Sequence, residues 1–329
     1  MSTRFLVVLA GLSIAACSSS DDAAAPDTRA GDIRQNDVWK NGVELNGVVS
    51  IYPGATVEIA PGATVKCTPG TKILVAGVLK KAAGARSRIT CADWTGIVVA
   101  QGGVVDFDGM DVDNASVPIE TTEGAGDSIL QNSTLKSSLK PFLVGKKSKL
   151  TLTKVNAVAP AKPPENAISI SDVFGTLVAS YLDYDAGSNE GVSLKDGGEA
   201  TITDSTLHGT NGFDMVSAYK GKTLKLSYSK LTGGHCGPHI QGLDSFEIDH
   251  VTSESNIYGL TIYAAGAGPN VIKDSNFAGT AAWLDLQGDH GPLTFTNIHY
   301  SGGKELIRNT DPPSLPANAP AEITGASPR

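Results

Sequence analysis

No stretch of this chain is basic enough to hold a nucleic acid. Its 26 Lys and Arg are outnumbered by 34 Asp and Glu. The longest basic cluster is Lys146-Lys147 with Lys149 beside it, and phosphate binding needs a broader patch. Long apolar runs are also scarce: the stretch from Phe5 to Leu12 is too short to cross a bilayer as a helix. Apolar stripes at spacings of three and four are missing from the repeated segments described below, which argues against amphipathic helices there. Aromatics make up only 6%, against 37 Gly and 17 Pro in 329 residues. The length suffices for a large core, in one elongated domain or two compact ones.

What the chain has in quantity is a repeat. Residues 51–75 read IYPGATVEIAPGATVKCTPGTKILV, nearly the same phrase three times. Within each phrase apolar residues sit two apart: Val49 and Ile51, Val57 and Ile59, Val65 and Cys67, Ile73 and Val75. That is strand periodicity with one face buried, and Pro-Gly or a similar pair closes each strand. The same slots continue at Ile89 and Cys91, Ile97 and Val99, and Val105 and Phe107, with Lys81 and Ala83 breaking the pattern. Three such units return the chain to its starting angle after 24 residues. Downstream, apolar anchors at Leu130, Leu152, Val178, Ile202, Leu226, Ile248, Ile272 and Phe295 keep a period of roughly 22 to 26 residues, each followed two positions later by a polar one. A β-sandwich needs longer strands and does not hold one period for so long. The expected fold is all-β: a parallel β-helix of about eleven coils, three short strands per coil, stacked at roughly 4.8 Å.

The opening coils, GVVSIYPGATVEIAPGATVKC together with ILVAGVLKKAAGARSRITCADWTGIVV, resemble those of bacterial surface lipoproteins with the right-handed parallel β-helix of the pectin-lyase-like superfamily. The resemblance covers residues 32–308 and leaves 309–329 as a Pro-rich, irregular tail. It implies fold more than activity. In such a stack Cys67 and Cys91 share a slot in adjacent coils, about 5 Å apart at Cα and within disulfide range. Two stacked reduced cysteines are the alternative, and Cys236 is a lone thiol.

Arg4, the apolar stretch after it and the small residues before Cys17 read as a targeting segment. Ile14-Ala15-Ala16-Cys17 resembles the bacterial lipobox. That resemblance implies removal of residues 1–16, diacylation of Cys17 and acylation of the new amino terminus, and two or three chains anchor stably. An ordinary secretory signal is the alternative. Ser18, rather than Asp, after the cysteine implies the outer membrane by the enterobacterial sorting rule. Residues 17–31 are expected to form a flexible tether.

Outward side chains on one sheet of a β-helix form columns, so residues one coil apart become neighbours. Aligning the third strand of successive coils gives one column of Ser193, Asp214, His239, Thr261 and Asp285. The next holds Lys195, Gln241, Tyr263 and Gln287, with Arg308 beyond. Such a face suits a polysaccharide. Asp214, His239 and Asp285 are the catalytic candidates, with Asp214 and His239 as orienter and base. Asp285 is expected three coils from Asp214, about 14 Å, too far for a paired-carboxylate mechanism. Ser193, Lys195, Gln241, Thr261, Tyr263, Gln287 and Trp283, whose indole is suited to stacking on a sugar ring, are the ligand-binding candidates, with core or corner packing the alternative for Trp283.

Two cation sites are weighed as well. His235 and His239 are candidates for a metal, with Asp214 or His250 to complete the set. Asp106, Asp108, Asp111 and Asp113 are the candidates for calcium; otherwise no cofactor is implied. Residues 246–252, FEIDHVT, are similar to the Trp-Ile-Asp-His stretch of pectate lyases, but Ile248 and His250 fall in the repeat slots of Ile202 and Asp204. The polygalacturonase pattern is missing: there is no Asp-Asp outside the tether, no Gly-His-Gly and no Arg-x-Lys after it. The expectation is therefore a non-catalytic envelope module, anchored to membrane by lipid, that is structural or binds a polysaccharide or an envelope protein. A polysaccharide lyase or glycoside hydrolase acting on the exposed face is the alternative.

Overall fold

The computed structural model describes residues 27–162, 169–210, 212–308 and 313–329. Cys17 and the leader before it lie outside the described residues. The described residues contain strands and no helix, and every ladder between these strands is parallel, as in the pairing of Thr64–Cys67 with Ser87–Val99. They form a single parallel β-solenoid of about 11 turns, the right-handed β-helix class that the repeat and the resemblance led to.

Register carries the sequence period directly. One inward ladder runs Val65, Ile89, Val112, Leu135, Ala157, Tyr184, Leu207, Leu231, Ser253, Phe277 and Tyr300, each paired with the next. The apolar members up to Phe277 are buried in one continuous core. Burying each large side chain contributes about 1.5–3 kcal/mol. Lys81, the break in the repeat, still points inward and is buried. Its stem fills the slot while its ammonium donates to the Gly84 and Asp108 carbonyls, and desolvation lowers its pKa.

Two kinds of corner close the coils. In the first coils, Ala55, Ala63 and Thr71 amides donate to the carbonyls of Tyr52, Ala60 and Thr68 at 3.0, 3.0 and 3.2 Å. Gly54, Gly62 and Gly70 sit at φ of 86°, 77° and 76°. Pro then Gly with positive φ is the signature of a type II turn. Later coils instead bend at one left-handed residue: Asn132, Lys154, Tyr181, Asp204, Tyr228, His250, Asp274 and Asn297 all have φ between 46° and 55°. His250 is thus a corner residue like Asp204, and its likeness to the lyase stretch reflects the coil. Ala179 rather than Val178 is the anchor of its coil, pairing with Leu152 and Ile202. Two adjacent small apolar residues leave that phase open in the sequence.

A buried serine follows the bend in four of these coils. Ser133, Ser205, Ser229 and Ser275 donate to the carbonyl two residues back. Each accepts an amide from the preceding coil: Met110, Leu182, Ser205 and Val251 at 3.1, 3.0, 3.2 and 3.0 Å. The corners are thereby stitched where no strand ladder reaches.

Cys67 and Cys91 pair in register and are joined as a disulfide, 5.0 Å apart at Cα. At the N-terminal end the coil stack begins earlier than expected: Asp27–Ile33 pairs with Val43–Ile51, so residues 27–31 belong to a strand rather than to the tether. The tail is irregular from residue 313 onward, and it is docked. Asn318 hydrogen-bonds the Tyr300 backbone, Ile323 exchanges hydrogen bonds with Asn276, and Ala326 accepts from Thr252. Arg329 lies 3.4 Å over the Tyr228 ring and bonds Asp204. The tail therefore runs back along the corner column across successive coils.

The disulfide closes a 24-residue loop. Replacing both cysteines by serine is expected to cost about 3 kcal/mol in denaturant unfolding. Ser229→Ala, which orphans the Ser205 amide, should cost about 1–3 kcal/mol by the same measurement.

Candidate functional site

The chemistry-bearing residues gather where Val192–Lys195 stacks on the start of Val216–Thr232, and that on the start of Pro238–Ala265. Ser193 pairs with Ser217, and Ser217 with His239. Ser217 therefore fills the column position that the alignment assigned to Asp214. Asp214 sits three residues before Ser217, at the bend where Gly191 donates to its carbonyl. Its carboxylate nevertheless turns back toward the same histidine: His239 Nδ1 lies 2.6 Å from Asp214 Oδ2. The Cys236 amide donates to Oδ1 at 3.1 Å, and His235 Nδ1 is 3.7 Å from Oδ1. Asp214 and His239 meet, by a different route from the one the pattern suggested.

The column is also not solvated. Ser193, Ser217 and Thr261 are fully buried, Asp285 is 1% exposed and Asp214 7%. Ser217 donates to Glu190 and shares a 2.7 Å hydrogen bond with the Ser193 hydroxyl. Thr261 donates to Cys236 Sγ at 3.2 Å. Ser193 and Thr261 are thus consumed inside the protein and are not ligand-facing groups. Trp283 takes its core-packing alternative rather than a ligand-binding role: it is 1% exposed and stacked on Tyr300 at 4.3 Å, so no sugar reaches its face. Asp285 does not join Asp214 and His239. It accepts from the Tyr263 hydroxyl at 3.2 Å and from Gln287, with Arg308 at 4.0 Å. The three catalytic candidates resolve into one contacting pair and one separately satisfied acid.

Burial and charge push the two acids of the first knot apart. Burial raises Glu190, and the Asp214 charge adds to this against the opposing Ser217 hydrogen bond and Lys195 charge. Burial acts in the same sense on Asp214. There the His239 hydrogen bond and charge, with those of Cys236 and His235, outweigh it and hold the carboxylate below its ordinary value. Tyr219 and Tyr263 flank the His239 ring, at 5.8 and 4.8 Å between centroids. Both phenols are raised, chiefly by burial with help from nearby carboxylates, Tyr263 to about 12. Burial, then the Asp214 charge, raises the Cys236 thiol, with Thr261 opposing.

The side chains that do reach solvent lie one step along the strand. Lys195 pairs with Tyr219 and Tyr219 with Gln241; Tyr263 and Gln287 continue the row in later coils. The Lys195 ammonium sits 4.1 Å over the Tyr219 ring. Next to the row, Lys220, Gly221, Gly242, Leu243, Asp244 and Gly266 line an open depression of about 390 Å³.

Glu190, Ser217 and Tyr219 were missed in the sequence. Tyr219 was within reach, since placing Val216 opposite Val192 puts it beside Lys195. Glu190 carries no signal, because it lies in a connection outside the strand period.

Elsewhere, His250 stacks on Tyr228 at 4.7 Å and bonds Asp249, so it does not join His235 and His239. Of the calcium candidates, Asp111 and Asp113 pair with Arg86 and Arg88, and Asp108 accepts from Asn132.

No protein family matches this sequence, and no curated protein matches it. Among solved structures, the chain is similar to a mutant of the periplasmic alginate epimerase AlgG, with 8% identity and a TM-score of 0.49, covering 86% of this chain and 79% of that one. It is also similar to the A-module of the Azotobacter vinelandii mannuronan C-5 epimerase AlgE4, with 12% identity and a TM-score of 0.43, covering 90% and 92%.

The buried, protonated state of Cys236 gives a direct check. With metal removed, iodoacetamide at pH 8 should alkylate it at least about tenfold more slowly than a free cysteine. Unfolding in denaturant should restore the ordinary rate.

Proposed function

We propose that this protein is a lipid-anchored module of the bacterial cell envelope that binds a glycan along one sheet face and does not cleave it. The observation that carries this is the row of Lys195, Tyr219, Gln241, Tyr263 and Gln287, in which Gln241 is exposed and the others half-buried, with the depression beside it. Phenol rings present apolar faces to sugar rings. Amide and ammonium groups hydrogen-bond hydroxyls and pair with uronate carboxylates. The acids beneath are tied to internal partners, and Asp214 and Asp285 are withdrawn from solvent. Anchoring rests on the lipobox-like Ile14-Ala15-Ala16-Cys17, and the outer membrane on Ser18.

A polysaccharide-cleaving enzyme is the second reading, favoured by one observation. Glu190 is raised and Asp214 lowered within one hydrogen-bonded knot that includes His239. Such opposite shifts are how a site separates acid from base. A screen of acidic and neutral polysaccharides, with and without calcium, separates the two. Binding without product supports the first reading, and product release that His239→Ala abolishes supports the second.

On the binding reading, Tyr219→Ala and Tyr263→Ala should each weaken glycan affinity about tenfold; unchanged affinity in both removes the row from the account. Cys17→Ala should shift the protein from the membrane fraction to the soluble one, and retention in the membrane would contradict lipid anchoring.

A further inference from the structure

We propose that Asp214, His235, Cys236 and His239 form a binding site for a divalent transition metal, zinc by its donor set, that staples two successive coils. This does not depend on the glycan reading. The donor atoms of Asp214, Cys236 and His239 all lie within 4.8 Å of one another. His235 Nδ1 is 3.4 Å from Cys236 Sγ and 3.7 Å from Asp214 Oδ1. Tetrahedral zinc, with Zn–N and Zn–O near 2.0–2.1 Å and Zn–S near 2.3 Å, sets its donors about 3.3–3.7 Å apart. Two edges of that tetrahedron already have the required length.

Two adjustments complete the tetrahedron: the 2.6 Å contact between Asp214 and His239 must open by roughly 1 Å, and His235, which is not among the donors lying within 4.8 Å of one another, must swing toward His239. His239 itself is incompletely satisfied in its present state: Nε2 is buried and without a hydrogen-bond partner. A neutral ring whose Nδ1 donates to Asp214 leaves a bare lone pair at Nε2, next to the Tyr219 and Tyr263 rings. With a metal on Nδ1 the ring proton sits on Nε2, where aromatic faces accept a weak N–H···π contact.

The surroundings match an outer shell. Thr261 Oγ1 donates to Cys236 Sγ, and the Cys236 amide donates to Asp214 Oδ1. Such bonds orient ligands and stabilise a thiolate. Binding is balanced by loss of the thiol proton: the S–H bond of Cys236 breaks, the proton leaves to solvent and a sulfur–metal bond forms. Thiolate and carboxylate then neutralise the dication. A mixed sulfur, nitrogen and oxygen set selects zinc over calcium or magnesium, which take oxygen ligands. Four protein ligands close the site and make its role structural. Asp214 comes from the bend before Val216–Thr232, and the other three from the turn after that strand and the start of the next, so the metal would pin the two coils together.

The test is titration of the full-length protein, purified in detergent and stripped of metal under reducing conditions, with cobalt(II) and then zinc. One equivalent of cobalt should give the visible bands of a tetrahedral site and a near-ultraviolet thiolate-to-cobalt band, and zinc should displace both. Cys236→Ser should remove the near-ultraviolet band. Asp214→Asn and His239→Ala should each weaken binding at least about tenfold, while His299→Ala, outside the knot, should change neither spectrum nor affinity. Zinc should also protect Cys236 of the unaltered protein from iodoacetamide at least tenfold, a readout that needs no variant to fold. No thiolate band, or an alkylation rate unmoved by zinc, overturns the site.

Discussion

Everything in this molecule depends on backbone register between parallel coils. Each strand hydrogen-bonds the strand one turn before and after it, so a side chain's neighbour is fixed by the residue about two dozen positions away. Inward slots stack like on like, and a misfit is absorbed only if it can reach a partner. Lys81 shows the rule: its stem occupies an apolar slot and its ammonium finds two carbonyls at the corner. The left-handed corner residues and the serines after them are the second part of the constraint. They bend the chain at one slot per coil and consume amides that no strand ladder can pair.

The candidate site arises where that regularity is interrupted. Glu190, Asp214 and Cys236 belong to connections rather than to the strand period, yet the stacked coils beneath them bring their side chains over the column of Ser193, Ser217 and His239. The result is a polar knot held out of water, with each carboxylate partnered, and a separate row of solvent-reaching side chains one step along the strands. Burial raises Glu190 while hydrogen bonds and nearby imidazoles lower Asp214. The same crowding that makes this knot stable places sulfur, nitrogen and oxygen donors at metal-like distances.

The fold was legible because alternation and an eight-residue phrase are properties of the chain itself. Phase was less so. Val178 and Ala179 are both small and apolar, and only the ladder distinguishes them. Asp214 looked like a column member because it lies close to the right offset from Ser193 and His239, while the extra residues before Val216 shift the strand by three. Burial of outward residues was not legible at all: Ser193 and Thr261 face away from the inner core and are fully buried nonetheless, while Trp283 is part of that core, stacked on Tyr300. The tail read as irregular, which it is, but its docking along Tyr300, Asn276, Thr252 and Tyr228 depends on a column that exists only once the coils are stacked.

The central claim is that register, and not spacing along the chain, decides which side chains meet. Its most direct test is disulfide mapping of two engineered pairs, Ser193→Cys with Ser217→Cys and Ser193→Cys with Asp214→Cys, by peptide mass analysis after mild oxidation. Residues paired across parallel strands are about 5 Å apart at Cα, within reach of a disulfide. The account predicts efficient crosslinking of 193 to 217 and little of 193 to 214. The reverse pattern would contradict it.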